Sequence, residues 1–329
     1  MAEQPTSGWY VEEGIGEHRA IRIEGGEVVA AKLYSLDELS AGHVGDAILS
    51  SRGAGSPRGT VRFDSGEEAL VDGLPREASE GARLRVIVTR AAIGEPGRIK
   101  LAQVRPTDRP IGKVPSLAAQ LRANGANVRV VHRFPVSEWP ELFAEAWSGQ
   151  IAFAGGALLA SPTPAMTLID IDGTLPPRQL SLAAIGPLAR AIGLFDLGGS
   201  IGVDFPTLAE KNDRRAVDEA LASALADWPH QRTAMNGFGF VQLVARLEGP
   251  SLIHRIRQDR VGASAKLLLR RAEMVEEAGA LLITAHPAIR QAIRPDWEDE
   301  LARRTGRMLR WREDPTLALH AGFAQALSA

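Results

Sequence analysis

The pattern of secondary-structure signals changes near residue 107, and this change limits the possible folds more than any other feature. Before it, short runs of alternating polarity are separated by glycine and proline, as in His18–Tyr34, where Gly25-Gly26 predicts a hairpin turn. After Thr107–Val114, which has the composition of a linker, apolar strands alternate with helices. That alternation is typical of α/β folds with at least partly parallel strands. The chain therefore predicts a β-rich part followed by an α/β part.

Short strands in the first third of the chain predict a small β-barrel. A loose segment, Ser50–Gly59, precedes them, and glycine and proline separate them. The expected strands are Thr60–Phe63, Ala69–Val71, Arg83–Thr89 and, as a fourth candidate, Arg98–Gln103. Several short strands in so little sequence are typical of an OB-type barrel. The alternative is a β-rich lid that does not close.

The remainder of the chain predicts two α/β units. In the first, Thr207-x-x-Glu210 has the form of a capping box that begins a helix, and Gly193 is placed to end another. Its helices are expected at Ser116–Ala123, at Glu138–Trp147, at Leu180–Ala191 and from the capping box at Thr207 to about Ala226. Its strands are expected at Val128–Val131, in the hairpin Gln150–Ala160, at Met166–Ile171 and at Ser200–Phe205. The second unit is expected to contain helices Ser264–Ala278 and Trp297–Arg304, strand Ala280–Ala285 and a strand from Arg307.

We therefore expect an α/β protein of the α+β multidomain type with four parts. They are an N-terminal hairpin segment at 1–36 that packs on the larger α/β domain, an OB-type barrel at 37–105, that mixed α/β domain at 106–255 and a small C-terminal α/β domain at 256–329. A length of 329 residues agrees with two or three ordinary domains rather than one.

The composition disfavours several classes of protein. Because the chain has no cysteine, it has neither a disulfide framework nor a thiolate metal site, and no zinc is expected. No apolar stretch approaches the roughly 20 residues of a membrane span. Residues Met1–Ser7 do not begin a secretory signal, so we expect a soluble, cytoplasmic protein without a membrane partner. The formal charge of −2 disfavours a generally basic nucleic-acid binder but leaves room for local basic patches.

Three aspartates at the ends of apolar strands are the strongest candidate site residues. Asp170 and Asp172 are two positions apart, so on a strand they project from the same face, and Asp204 ends another apolar strand. If the two strands are adjacent, the three carboxylates converge and form an oxygen-only site for Mg²⁺ or Mn²⁺. Such a cation suits phosphoryl chemistry. The alternative is that Asp172 serves only an Asp-Gly turn.

The segment Asp170-Ile-Asp172-Gly-Thr174-Leu175 resembles the opening motif of the haloacid-dehalogenase-like phosphatases. This resemblance implies that Asp170 is a nucleophile and Asp172 an acid or base. Later in their sequences, these phosphatases have a second strand that ends in acidic residues, and we find no counterpart of it in this chain. The acidic cluster Asp296–Glu300 has instead the pattern of the first turn of a helix. A phosphatase is therefore the alternative enzyme.

A longer, ordered series of motifs resembles the ribonuclease E/G family. The series is the hairpin and strand Gly149–Ile171 with Leu168-Ile-Asp170-Ile-Asp172, then Phe195-Asp-Leu-Gly-Gly199, Val203-Asp-Phe205, Arg214-Arg-Ala-Val217 and Phe238-Gly-Phe-Val-Gln242. The expected barrel stands where that family has its RNA-binding OB domain, His18–Tyr34 resembles its opening hairpin, and Ser264–Ala329 resembles its small C-terminal domain. The resemblance implies a Mg²⁺-dependent endoribonuclease that cuts single-stranded RNA and leaves 5′-phosphate and 3′-hydroxyl ends.

Carried over residue by residue, the resemblance makes Asp170 and Asp204 the metal-binding catalytic aspartates. Asp172 stands where the family usually has a supporting asparagine, and its extra negative charge would change metal affinity or its pH dependence. The residues expected to guide RNA are Arg214, Arg215, Phe238, Arg246, Arg255 and Arg257. The alternative for Arg214 and Arg215 is ordinary surface pairing with Asp213 or Asp218.

The chain also departs from the family. The region Thr107–Gln150 is much shorter, which implies that the domain sensing a 5′-monophosphate is missing. Arg257-Gln-Asp-Arg260 stands near the family's zinc-binding cysteines, so a homodimer would need other contacts. Basic residues that are usual in the family are replaced by Gly237, Ala245 and Leu247. These departures leave a non-catalytic RNA-binding relative as a further alternative.

Overall fold

The computed structural model describes residues 5–36, 39–95, 98–111 and 115–327 and confirms a mixed α/β protein with a closed barrel. Residues 1–4 of the expected hairpin segment and 112–114 of the expected linker lie outside the described residues. The strands are β1 Gly8–Glu13, β2 Glu17–Glu24, β3 Glu27–Ser35, β4 Val44–Arg52, β5 Arg58–Phe63, β6 Glu68–Asp72, β7 Arg83–Arg90, β8 Ile93–Glu95, β9 Arg98–Lys100, β10 Ala102–Pro106, β11 Val128–Val130, β12 Gln150–Phe153, β13 Gly156–Pro162, β14 Thr167–Gly173, β15 Gly199–Asp204, β16 His230–Arg232, β17 Phe240–Ala245, β18 Ala280–Ala285, β19 Leu309–Glu313 and β20 Phe323–Leu327. The helices are α1 Leu117–Ala123, α2 Trp139–Ser148, α3 Pro177–Leu194, α4 Lys211–Ala224, α5 Leu252–Gln258, α6 Arg260–Glu273, α7 Pro287–Ala292 and α8 Pro295–Thr305, with a short 3₁₀ helix at Leu319–Ala321.

The first sheet contains the predicted hairpin. Strands β2 and β3 are joined by Gly25-Gly26, and both glycines have positive φ, +59° and +87°, as a two-residue hairpin turn requires. Strand β1 pairs with β2 in antiparallel fashion, and β11, more than a hundred residues later, pairs with β1 in parallel. Helix α1 covers the sheet, with Leu117 and Leu121 packing on Trp9. The sheet order is β11-β1-β2-β3.

The predicted barrel closes in the order β10-β6-β5-β4-β7. Its core contains inward-facing residues from each strand, among them Leu49, Val61 and Val86. Strand β4 was not predicted, because it contributes only Ala47 and Leu49 to the buried cluster of the barrel and serines and an arginine follow them. The fourth predicted strand is split: β9 pairs with β8, whereas β10 pairs with both β6 and β7 and so closes the barrel.

The central sheet has the order β12-β13-β14-β15-β17-β16 and one parallel pair, β14 with β15. One face is apolar and is covered by helices. Ile169 of β14 and Ile201 of β15 belong to the same buried cluster as Leu188 of α3, Leu221 of α4 and Ile253 of α5. The other face carries the alternate residues of each strand, and those of β14 are exposed to solvent. Any site on this sheet therefore lies on its uncovered face.

Two predicted helix ends differ from the structure. Helix α3 does not stop before Gly193 but runs to Leu194, and the chain turns at Asp196, whose φ is +52°. Helix α4 begins at Lys211 with Glu210 as its N-cap and without a side-chain capping bond, so the capping box at Thr207 was wrong. Pro206 follows the last sheet residues, and the chain stays non-helical as far as Glu210.

The C-terminal sheet has β18 between parallel β19 and antiparallel β20. Its buried cluster includes Ile15, from the turn between β1 and β2, beside Trp297 of α8. Gly16 lies directly against Trp297, because a Cβ there would be 2.7 Å from the indole ring. The N-terminal hairpin and the C-terminal sheet thus share one core. No helix of the described residues is long and apolar enough to span a membrane.

Candidate active site

Two of the predicted aspartates are direct neighbours in the central sheet. In the parallel pairing of β14 with β15, Asp170 stands opposite Asp204. On both strands the preceding isoleucine or valine is buried, while the aspartate is exposed, so both carboxylates project from the uncovered face. Neighbouring strands are about 4.8 Å apart. The structure therefore places two carboxylates side by side where β15 ends.

Asp172 lies further along the same face. It is opposite Ala157 of β13, whereas β15 has already ended at Asp204. Two residues on a strand correspond to about 7 Å. Within the described ranges, no group of three or more histidine, aspartate or glutamate side chains is close enough to enclose a metal ion. Asp172 is thus the outer member of the three.

The chemistry of the inner pair fits Mg²⁺. This ion usually keeps several of its waters and is held by one or two carboxylates together with phosphate oxygens of a substrate. Asp170 and Asp204 supply two carboxylates, and the uncovered face leaves room for waters and a phosphate. Two adjacent like charges repel each other unless a cation or a proton lies between them.

An apolar floor adjoins the carboxylate pair. Gly202 precedes Asp204 on the same face, and the space that a side chain would take is filled by the ring of Phe240, the sulfur of Met166 and Leu168. A Cβ at Gly202 would lie 2.5 Å from the Phe240 ring. The sequence analysis missed this floor, although a glycine inside a strand is a signal that something approaches closely.

An exposed aromatic side chain lies in the loop between β16 and β17. Phe238 is 81% exposed. Its loop is fixed by the Asn236 side chain, which accepts hydrogen bonds from the backbone N–H groups of Phe238 and Phe240 at 2.9 and 3.1 Å. Gly239, with φ of +93°, lies against the backbone that follows Asp204. Phe238 is thus held near the carboxylate pair with its ring free to contact a ligand.

The side chain of Arg214 forms hydrogen bonds to backbone carbonyl groups beside the site. Its guanidinium donates to the carbonyl oxygens of Leu208 and Ala209, the latter at 2.8 Å. These carbonyls belong to the connection between β15 and α4. Arg214 therefore fixes the segment that follows Asp204.

Arg215 forms an ordinary surface ion pair. Its Nε lies 2.8 Å from Oε1 of Glu219, one helical turn further along α4, and both side chains are mostly exposed. Hydrogen bonding to Glu219 raises the pKa of Arg215. Asp213 and Asp218, which the sequence offered as partners for the two arginines, pair instead with Arg178 and Arg232.

Arg246 lies at the opposite end of the central sheet from the carboxylate pair. It follows Ala245, which is opposite Gly199 at the start of β15, and its nearest acid is Glu248 at 3.2 Å. Five residues of β15 separate Gly199 from Asp204, a distance of about 16 Å at 3.3 Å per residue. The structure therefore does not bring Arg246 to Asp204.

Arg255 and Arg257 lie on α5, away from the uncovered face. Arg255 is half-buried and lines a small cavity with Asp196 and Glu248. Arg257 donates from Nη1 to the carbonyl oxygen of Ala160 on β13 at 2.7 Å. Arg257 thus contacts β13, the neighbour of the strand that carries Asp170.

Part of the barrel surface carries paired charges. Phe63, the aromatic residue of the predicted strands, is buried and packs near His43, so it offers no stacking surface. Four exposed arginines of the barrel each have an acidic partner: Arg58 with Asp72, Arg62 with Glu68, Arg83 with Asp64 and Arg85 with Asp46. A phosphate bound there would have to compete with these carboxylates.

The chain is similar to ribonuclease G of several enteric bacteria. It is 25% identical over 177 residues to ribonuclease G of Escherichia coli K12, in a match that covers 45% of this chain and 36% of that protein. Ribonuclease G of Escherichia coli O157:H7 and of Shigella flexneri match with the same identity and coverage. The chain therefore matches little more than a third of the length of these curated relatives, and no family model matches it. These similarities indicate a distant relationship to ribonuclease G.

Proposed function

We propose that this protein is a Mg²⁺-dependent endoribonuclease that hydrolyses phosphodiester bonds of single-stranded RNA. The observation that carries the proposal is the in-register pair Asp170 and Asp204 on the uncovered face of the central sheet. The distant similarity to ribonuclease G supports RNA as the substrate. Mn²⁺ is the expected substitute for Mg²⁺, since both prefer oxygen ligands.

In this proposal, each part of the site has a separate task. Asp170 and Asp204 would hold the cation, which when bound supplies Lewis acidity toward the phosphate and a water of lowered pKa. The floor formed by Phe240 and Leu168 would support the ribose or base next to the cut. Phe238 would stack on an unpaired base, because stacking on an aromatic ring does not depend on sequence. A single strand fits an uncovered sheet face more readily than a duplex does.

The proposal is tested by incubating the purified protein with an unstructured RNA labelled at either end. We expect internal cuts in Mg²⁺ or Mn²⁺, none in EDTA, and new 5′ ends that carry phosphate. Activity on p-nitrophenyl phosphate with intact RNA would instead favour the phosphatase that the Asp170-Ile-Asp172-Gly-Thr174 motif resembles. RNA that is bound but never cut with either cation would indicate a binding protein.

Within this proposal, Asp172→Asn is expected to weaken the response to Mg²⁺ several-fold. A carboxylate about 7 Å from a divalent cation contributes about 1 kcal/mol even at the dielectric constant of water. The measurement is the Mg²⁺ concentration at half-maximal cleavage, which should rise while the rate at saturating Mg²⁺ changes less. Glu313→Gln, an exposed acid on β19, is the control that removes one negative charge elsewhere. An unchanged Mg²⁺ requirement in Asp172→Asn would show that this carboxylate does not influence the cation.

A further inference from the structure

Three arginines from separate parts of the helical layer meet at one place on the surface. We call Arg257, Arg260 and Arg271 the arginine cluster. Arg260 and Arg271 lie beside Trp147, at the end of α2, and His320, in the 3₁₀ helix, while Arg257 lies against Gly149, directly after α2. Arg260 lies over the Trp147 ring, 4.7 Å from its centroid, and the His320 ring is also 4.7 Å from it. The site thus joins α2, the junction of α5 with α6, and the segment before β20.

Backbone carbonyls, not carboxylates, orient these guanidinium groups. Arg257 donates to Ala160, Arg260 to Trp147, at 3.2 Å, and Arg271 donates to two carbonyls of the 320–322 segment at 2.7 Å. Among the described residues, no carboxylate forms an ion pair with any member of the arginine cluster. Each guanidinium has five N–H donors, so several remain for a ligand.

The positive charge of the arginine cluster is concentrated enough for its members to affect one another. Burial and Arg260 lower the pKa of Arg257, and burial followed by Arg271 and Arg260 lowers the pKa of His320. The His320 Nδ1 is buried without a hydrogen-bond partner. Arg270, the chain neighbour of Arg271, is by contrast paired with two glutamates. An anion would relieve the repulsion within the arginine cluster.

From this geometry we infer that the arginine cluster binds the phosphate backbone of the RNA strand at a distance from the cut. The inference rests on the proposed function for the identity of the ligand. Ala160, which Arg257 contacts, is one residue from Leu159, and Leu159 is opposite Asp170. Arg257 therefore contacts β13, which lies about 4.8 Å from β14, the strand that carries Asp170. An RNA strand that crosses the carboxylate pair and passes over the β12 edge of the sheet would reach the arginine cluster.

The test is the affinity of a labelled single-stranded RNA, measured by fluorescence anisotropy in EDTA at several salt concentrations. In the double variant Arg260→Gln/Arg271→Gln we expect roughly tenfold weaker binding at low salt and a salt slope lower by about 1.4, since each single-strand phosphate contact contributes about 0.7. The control, Arg310→Gln/Arg312→Gln, removes the same charge from exposed positions of β19 and should bind like the unmodified protein. Arg260→Glu alone, at an exposed residue, gives the same direction of change if Arg271→Gln impairs folding.

The outcomes separate this inference from the proposed function. Equal affinity and slope in the double variant and the control overturn the inference, as does a failure of the unmodified protein to bind RNA. If the unmodified protein binds RNA, loses affinity in the double variant and never cuts RNA in Mg²⁺, the phosphate site stands and the nuclease does not. If inorganic phosphate at low concentration competes fully with RNA, the cluster is a site for free phosphate, and the inference is overturned.

Discussion

Asp204→Asn is expected to reduce Mg²⁺-dependent RNA cleavage by about a hundredfold or more. Asparagine keeps the size of the side chain but removes one of the two charges that would hold the cation, and a catalytic cation supplies several kcal/mol of charge stabilisation. Each 1.36 kcal/mol corresponds to a factor of ten in rate. Asp170→Asn should cause a similar loss, and the double variant should lose little more, because residues that act as a unit are not additive. The measurement is the initial rate of cleavage at saturating Mg²⁺.

The melting temperature of Asp204→Asn gives a second test, which does not depend on enzymatic activity. Asp170 and Asp204 are opposite each other on adjacent strands, where like charges are destabilising. Without divalent cations, Asp204→Asn should therefore melt at the same temperature as the unmodified protein or higher. Mg²⁺ should raise the melting temperature of the unmodified protein and should have less effect on the variant, since only a cation that binds the folded state stabilises it.

The matched control for Asp204→Asn is Asp213→Asn on α4. This aspartate is paired with Arg178 at 3.0 Å and is absent from the uncovered face. It should leave both the cleavage rate and the stabilisation by Mg²⁺ unchanged. Near-normal cleavage by Asp204→Asn would remove the carboxylate pair from the mechanism. Phosphatase activity that survives the substitution would favour the motif at Asp170-Ile-Asp172.

Arg270→Met is expected to lower the free energy of unfolding by about 3–5 kcal/mol, the usual cost of breaking a buried ion pair. Arg270 is 8% exposed in its side chain and lies 3.0 Å from both Glu12 and Glu273, whose side chains are 8% and 4% exposed. It also donates to the carbonyl oxygen of His132. Methionine fills a similar volume but leaves the buried Glu12 carboxylate without its cation, while Glu273 keeps only Arg304, at 2.9 Å. Urea denaturation monitored by circular dichroism gives the difference.

The control for Arg270→Met is Arg303→Met on α8. Arg303 is 71% exposed and pairs with Glu300, so its loss should cost less than about 1 kcal/mol. Adding Glu12→Gln to Arg270→Met should recover part of the stability by removing the carboxylate that has lost its cation. A loss below about 1 kcal/mol in Arg270→Met would show that solvent reaches these carboxylates and that the network is not buried in solution.

Local patterns predicted much of the fold, whereas pairing between distant strands was not predictable. Gly25-Gly26 specifies its turn within two residues, and the alternation around Asp170 places that carboxylate on one face. The alignment of Asp170 with Asp204 depends on the register between two strands that α3 separates. The contact of Phe240 with Gly202 depends on a third strand. The pieces of the site were therefore visible in the sequence, but the floor beside it was not.

The arginines of α5 and α6 show a second limit of sequence reasoning. Arg270 and Arg271 are adjacent in the sequence, yet successive residues on a helix point about 100° apart. Arg270 consequently turns inward to Glu12, while Arg271 turns outward to the 320–322 segment. Arg257 and Arg260 lie on either side of the junction at which α5 ends and α6 begins, on the same part of the surface as Arg271. Which arginine binds a protein group and which faces solvent is decided by the packing of α6.

The pairing of β1 with β11 and of Glu12 with Arg270 also sets the order in which the protein can be built on the ribosome. Strand β1 is synthesised first, but its parallel partner β11 follows more than a hundred residues later. Arg270, which pairs with Glu12, is synthesised 258 residues after Glu12. The barrel strands β4, β5, β6, β7 and β10 pair among themselves and can form earlier. We therefore expect the barrel to be a cooperative folding unit during synthesis, while the N-terminal hairpin gains its full stability only after α6 has emerged.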